Sequence, residues 1–260
     1  MDRTDRERRG RGRGIRTVDD VLRLLDGLFA PEADRWTSGA ASWWDGFYAD
    51  RDRPVPFFVA KPDENLVGYV ERGLIGGGGR ALDLGCGPGR NALQLAAWGF
   101  EVDGVDLSAT AVAWAEERAH VSGIRARFHC GDVFALAGSA ELPGPYDLVY
   151  DSGCFHHLPP HRRQDYVALV RRALKPGGSF GLVCFRPEGG SGYTDEQVYE
   201  RASLGGGLGY TEDELRLLWD RPPFRVRVLR QMRKPGEQER LFGEDFLWTL
   251  LATKQATEGS

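Results

Sequence analysis

The chain is short of lysine. Of its 34 Lys and Arg residues only Lys61, Lys175, Lys234 and Lys254 are lysines, a compositional bias that implies no mechanism. Cysteine is confined to Cys86, Cys130, Cys154 and Cys184. No two share a C-x-x-C motif, which argues against a zinc site or a disulfide framework and for free thiols in a reducing compartment. No apolar run approaches the roughly 18 residues of a membrane span. The N-terminus has no apolar signal core, so the expectation is a cytoplasmic protein without a membrane partner. Basic excess is also missing. Net charge is −4, and residues 1–14 are themselves net basic, so the body is more acidic still and a nucleic-acid partner is not expected. The remainder, 260 residues with 41% hydrophobic and 28% charged, suits one large α/β domain with a modest extra segment.

Three regions follow from pattern. Residues 1–14, almost wholly Arg, Gly, Asp and Glu, cannot bury apolar surface and read as a disordered tail. Residues 15–61 read as a helical, aromatic lid. Val18, Val21, Leu22, Leu25 and Leu28 recur at helical spacing, and Trp36, Trp43, Trp44, Phe47, Tyr48, Phe57 and Phe58 follow. Residues 62–260 form the main domain. Strands are predicted at 80–84, 101–105, 125–129, 146–151, 179–185, 225–231 and 245–252, and helices at 90–98, 109–121, 160–173 and 212–219. This alternation predicts an α/β, doubly wound, Rossmann-like, mostly parallel seven-stranded sheet with an antiparallel C-terminal hairpin. The glycine-rich stretch 186–210 is long for a plain connection and reads as a second lid.

The chemistry centres on residues 81–90, Ala-Leu-Asp-Leu-Gly-Cys-Gly-Pro-Gly-Arg. An apolar strand runs into Gly85, Gly87 and Gly89, which let a ligand approach the backbone, and a helix begins at once, offering free N–H groups. A Gly-x-Gly turn is weak on its own, but acids recur at the ends of the next strands. Asp106 stands roughly 20 residues beyond the glycines, where a carboxylate accepts both ribose hydroxyl protons. Asp132 can receive the exocyclic amino group of a base, with Val133 and Phe134 against the ring. Asp151 ends the fourth strand. Each could instead cap a helix.

Together these residues resemble the class I S-adenosylmethionine-dependent methyltransferases from about Pro62 to the C-terminus. The resemblance implies S-adenosylmethionine as cofactor. By it, Asp83, Gly85, Cys86, Gly87 and Gly89 wrap the methionyl part, Asp106 and Leu107 take the ribose, Asp132 and Val133 the adenine, and Asp151 and the residues after it face the transferred methyl. Lys175-Pro176-Gly177-Gly178 matches the family's structural turn into the fifth strand. A dehydrogenase is disfavoured, because the third glycine arrives one residue early for G-x-G-x-x-G. Asp151 has no second carboxylate at metal-site spacing, so no metal is expected.

His156 and His157, just past the fourth strand, are candidates for a base or for orienting the acceptor; the competing role is packing or capping. His161 reads as a helix-surface residue. The aromatic segment is similar to the thiopurine and thiol methyltransferase branch, and Gly-Arg-Asn at 89–91 to tellurite-resistance methyltransferases. Trp43, Trp44, Phe47, Tyr48 and Phe58, with Arg186 and Tyr193 from the second lid, are the expected acceptor contacts. Trp36 and Phe57 are read as the ones to pack in the core. The expected partner is a small-molecule acceptor from natural-product or detoxification chemistry, with a homodimer left open. An RNA or protein methyltransferase and a non-catalytic S-adenosylmethionine-binding protein remain as alternatives.

Overall fold

The computed structural model describes residues 15–142 and 144–256; the tail expected at 1–14 lies outside them. Among the described residues one sheet has the order β3-β2-β1-β4-β5-β7-β6. Strands β1 (Gly79–Leu84), β2 (Phe100–Asp106), β3 (Arg127–Cys130), β4 (Tyr146–Ser152) and β5 (Leu174–Phe185) are parallel. Strand β7 (Leu247–Lys254) returns antiparallel to β5 and pairs with β6 (Phe224–Gln231). The doubly wound sheet and its C-terminal hairpin are as expected.

Both faces of the sheet are covered, as parallel strands require. Leu82 and Leu84 of β1 point into a core with Val149, Phe180, Leu182 and Trp219, under helices α7 (Arg163–Ala173) and α9 (Glu212–Trp219). Ala81 points to the other face, where Leu66 and Tyr69 of α3 (Glu64–Glu71) and Leu95 of α4 (Arg90–Ala97) pack. Helix starts follow side-chain chemistry. Ser108 accepts from Ala111 N at the start of α5 (Ala109–Ser122), and Asp132 accepts from Phe134 N at the start of the short α6 (Val133–Leu136). The Thr211–Glu214 capping box forms at α9.

The N-terminal segment lies over the C-terminal ends of the parallel strands. It contains α1 (Val18–Asp26), α2 (Ala41–Ala49) and a 3-10 turn at Pro56–Phe58. Tyr48 and Phe58 pack on Ala111 and Trp114 of α5. Asp45 accepts from Ser108 Oγ at 2.6 Å and from Thr110 N at 3.0 Å, pinning α2 to the first turn of α5. Helix α1 buries no residue of its own. Asp26 at its end holds it instead, accepting from His161 Nε2 at 2.9 Å, from Arg162 and from Trp36 Nε1 at 3.0 Å. His161 therefore is not the surface residue expected; it joins the N-terminal segment to the domain.

Residues 186–210 also depart from expectation. They carry their own helix, α8 (Asp195–Arg201), with a Thr194–Gln197 capping box. Val198, Leu204, Leu208 and Tyr210 are buried in the main core, and Leu208 N donates to the His156 carbonyl at 2.8 Å. This segment is a packed wall, because its apolar side chains fall at positions that reach the core.

Candidate active site

A cavity of about 530 Å³ opens between the strand ends and the N-terminal segment. The glycine turn forms its floor. Gly85 lies at φ +64°, and a Cβ there would stand 2.8 Å from that of Cys154, so only glycine serves. Asp106 closes the turn: Oδ2 accepts from Gly87 N and Oδ1 from Ser108 N, both at 2.9 Å. Each oxygen keeps a lone pair. Burial pushes the Asp106 carboxyl up to about 6, against the two backbone hydrogen bonds that hold it down.

Gly85, Asp106, Leu107, Asp132, Val133, His156 and His157 all line this cavity, with Trp43, Trp44, Phe47 and Tyr48 across from them. Asp132 combines both of its readings: it caps α6 and faces the cavity, its carboxyl raised by burial. Asp83, Cys86, Gly87 and Gly89 shape the turn from behind and do not line the cavity.

Four expected site residues stand elsewhere. Asp151 is fully buried and does not face the cavity. Its oxygens accept from Gly153 N at 3.0 Å, Cys154 N at 2.8 Å and Phe155 N at 3.0 Å, and from the Tyr166 hydroxyl. It anchors the turn that delivers the histidines. Burial raises its carboxyl to about 6. Phe58 stacks on Tyr48 and meets Trp114 edge-on; Phe57 lines the cavity, and Trp36, buried in the core as read, also borders it. Arg186 turns to the Asp245 carbonyl at 2.8 Å and to Glu188. Tyr193 lies under Arg201 and against the core.

His156 and His157 sit side by side, ring centroids 4.4 Å apart. His156 stacks on Phe185 at 3.7 Å, and His157 meets the edge of Trp44 at 5.1 Å. Nδ1 of each is buried without a hydrogen-bond partner among the described residues. Burial, then the neighbouring His157, pushes His156 well below its usual range. Burial, then Arg35, pushes His157 down to about 4. Both are neutral imidazoles near pH 7. Ser152 and Cys154, in the stretch after Asp151, line the cavity, while sequence pattern missed Arg35, Phe185, Phe242 and Phe246. Phe185 adjoins a strand end, which was a usable signal; Phe242 and Phe246 come from the β6–β7 connection, and nothing local marks them.

Arg90 lines the cavity. It pairs with buried Asp63, donates to Ser152 Oγ at 2.9 Å and stands 4.1 Å over Phe242.

This sheet order, with a glycine turn after β1 and acids at the ends of β2 and β3, defines a nucleotide-cradling α/β fold. A family model described as a methyltransferase domain matches residues 81–178. An uncharacterised methyltransferase of Schizosaccharomyces pombe is 32% identical over 123 residues, covering 47% of this chain and 83% of that protein. A ubiquinone biosynthesis O-methyltransferase of Burkholderia orbicola is 33% identical over 149 residues, covering 56% of this chain. The match takes in 59% of that relative's length. A solved structure described by the conversion of a disulfide bond into a thioacetal group during echinomycin biosynthesis superposes with a TM-score of 0.64 at 25% identity. It covers 84% of this chain and 93% of that one. The chain belongs to the class I S-adenosylmethionine-dependent methyltransferases.

Proposed function

We propose that this protein transfers a methyl group from S-adenosylmethionine to a small molecule held in the aromatic half of the cavity. One observation carries the reading. The strand-end acids Asp106 and Asp132, the aromatic wall and the imidazoles of His156 and His157 all line one cavity of about 530 Å³. That is the scale of a small-ligand site.

The residues present fit the cofactor. Gly85 leaves room that a Cβ would fill, Asp106 keeps lone pairs for ribose hydroxyls, and Asp132 with Val133 and Phe134 suits an adenine. When bound, the cofactor supplies an electrophilic methyl on a sulfonium. The chain's own task is then alignment and exclusion of water, and alignment can supply roughly 7–11 kcal/mol. Trp43, Trp44 and Phe47 cover the cavity, and aromatic faces tolerate a cationic sulfur. The His157 imidazole orients the acceptor and takes its proton; His156, held against Phe185, fixes the position of its neighbour. Asp151 holds the turn that carries both. The segment 15–61 acts as the cover of the site.

The relatives bearing small-molecule names, such as a 2-heptyl-1-hydroxyquinolin-4(1H)-one methyltransferase of Mycobacteroides abscessus, 29% identical over 131 residues, support an acceptor of this kind. The test is a screen of candidate acceptors by mass spectrometry for products gaining one CH₂, with calorimetry for cofactor binding. Binding of S-adenosylmethionine and not of NAD, with at least one methylated small molecule, is expected. Methylation confined to RNA or protein would refute the reading.

A further inference from the structure

The lining of the cavity carries both signs of charge. Its lining acids, Asp106 and Asp132, stand at the ends of β2 and β3. The aromatic wall presents no acid among the lining residues; its polar side chains are His156, His157, Tyr48 and Arg35, with Ser152 at the strand end. Arg90 also reaches the cavity, but Asp63 neutralises it.

Arg35 is placed differently. Among the described residues no carboxylate pairs with it. Its Nη1 donates to the carbonyls of Glu32 at 2.5 Å and Asp34 at 2.7 Å, and Nε and Nη2 have no hydrogen-bond partner among the described residues. The nearby Asp34 carboxylate is taken up by Trp36 N and Thr37. The Arg35 guanidinium lies 3.6 Å over Trp43. Trp43 meets Trp44 at 4.8 Å, and Trp44 meets His157 at 5.1 Å. Trp44 Nε1 donates to the Arg35 carbonyl at 3.1 Å, fixing the order of this wall. Cation, two indoles and imidazole thus run as one surface. Arginine remains charged when partly desolvated, and a partly desolvated cation without a counter-ion is unfavourable until an anion reaches it.

We propose that Arg35 determines acceptor specificity: the acceptor is a planar aromatic molecule bearing a carboxylate, its ring against Trp43 and Trp44 and its carboxylate on the free N–H groups of Arg35. This rests on the small-molecule reading above. An ammonium group at the same position is disfavoured, because it meets the Arg35 cation there.

The test uses the full chain saturated with S-adenosylhomocysteine, which lacks the sulfonium charge that would itself attract an anion. Binding of 2-naphthoate, 2-naphthamide and 2-naphthylmethylamine is compared by calorimetry. The naphthoate is expected to bind about tenfold tighter than either other probe, the ratio that one charge-assisted hydrogen bond of ~1.4 kcal/mol gives. Arg35→Gln should erase the ratio and Arg35→Lys should keep most of it. A ratio measured on one protein is insensitive to a reduced folded fraction. Equal binding of the three probes, or a ratio that survives in Arg35→Gln, overturns the anion selection alone. If none of the probes binds while S-adenosylhomocysteine does, the proposal and the small-molecule reading fall together.

Discussion

Asp106 shows how burial converts a side chain into a pH-dependent contact. Its carboxyl titrates at about 6, and only the ionised form accepts from two ribose hydroxyls. Cofactor affinity should therefore be full above that pH and decline as pH falls through it. Asp106→Asn should weaken S-adenosylmethionine binding about 10- to 100-fold, the range for hydrogen bonds to a charged group, and flatten the pH dependence; calorimetry between pH 5 and 8 reads both. His157 titrates near 4, so it stays neutral through that range and adds no step of its own. His157→Gln should leave cofactor affinity intact and lower kcat about 100-fold, the low end for a lost general base. Steady-state rates at saturating cofactor check this, and an unchanged kcat would remove the imidazole from the reaction. Both histidines were legible because they follow a strand end. Their neutrality was not, since it depends on Phe185, Trp44 and Arg35 closing around them.

Among the elements, α1 is held by one carboxylate. Asp26 receives Trp36, His161 and Arg162, while no α1 residue is buried. Removing one partner of such an ion pair leaves the others unpaired at a cost of ~3 kcal/mol. Asp26→Ala should therefore release residues 18–26 locally. Hydrogen exchange is expected to rise there and to stay slow in β1, β4 and β5. Equal acceleration throughout the sheet would show that the clasp supports the whole fold. The strands and capped helices were readable because period and cap residues are local signals. The stretch 186–210 was misread because its glycines resemble loop punctuation, while the burial of Val198, Leu204 and Leu208 depends on a core assembled from distant strands.

For the whole molecule, Asp83 sets a stability slope. It is buried beside Arg90 and Asp63, and burial raises its carboxyl to about 8, whereas an unfolded Asp titrates at ~3.9. The folded state thus binds the extra proton between those values, and stability from this group declines as pH rises through the window. Asp83→Asn mimics the protonated form. Its melting temperature relative to wild type should rise progressively from pH 5 to pH 8, and a constant difference would show that Asp83 is already ionised in the fold.

Sequence alone determined the doubly wound class of the sheet with its C-terminal hairpin, the glycine turn and the acids at the strand ends. These rest on hydrophobic period, on the positive φ of Gly85 and on residue spacing along continuous chain. Tertiary structure decided which side chains share the cavity. It turned Asp151 inward onto Tyr166, exchanged Phe57 for Phe58, sent Arg186 and Tyr193 away, and brought Arg35, Phe242 and Phe246 to the same wall. A side chain's direction at the end of an element depends on the neighbours that bury it, and here those neighbours come from segments far apart in the chain.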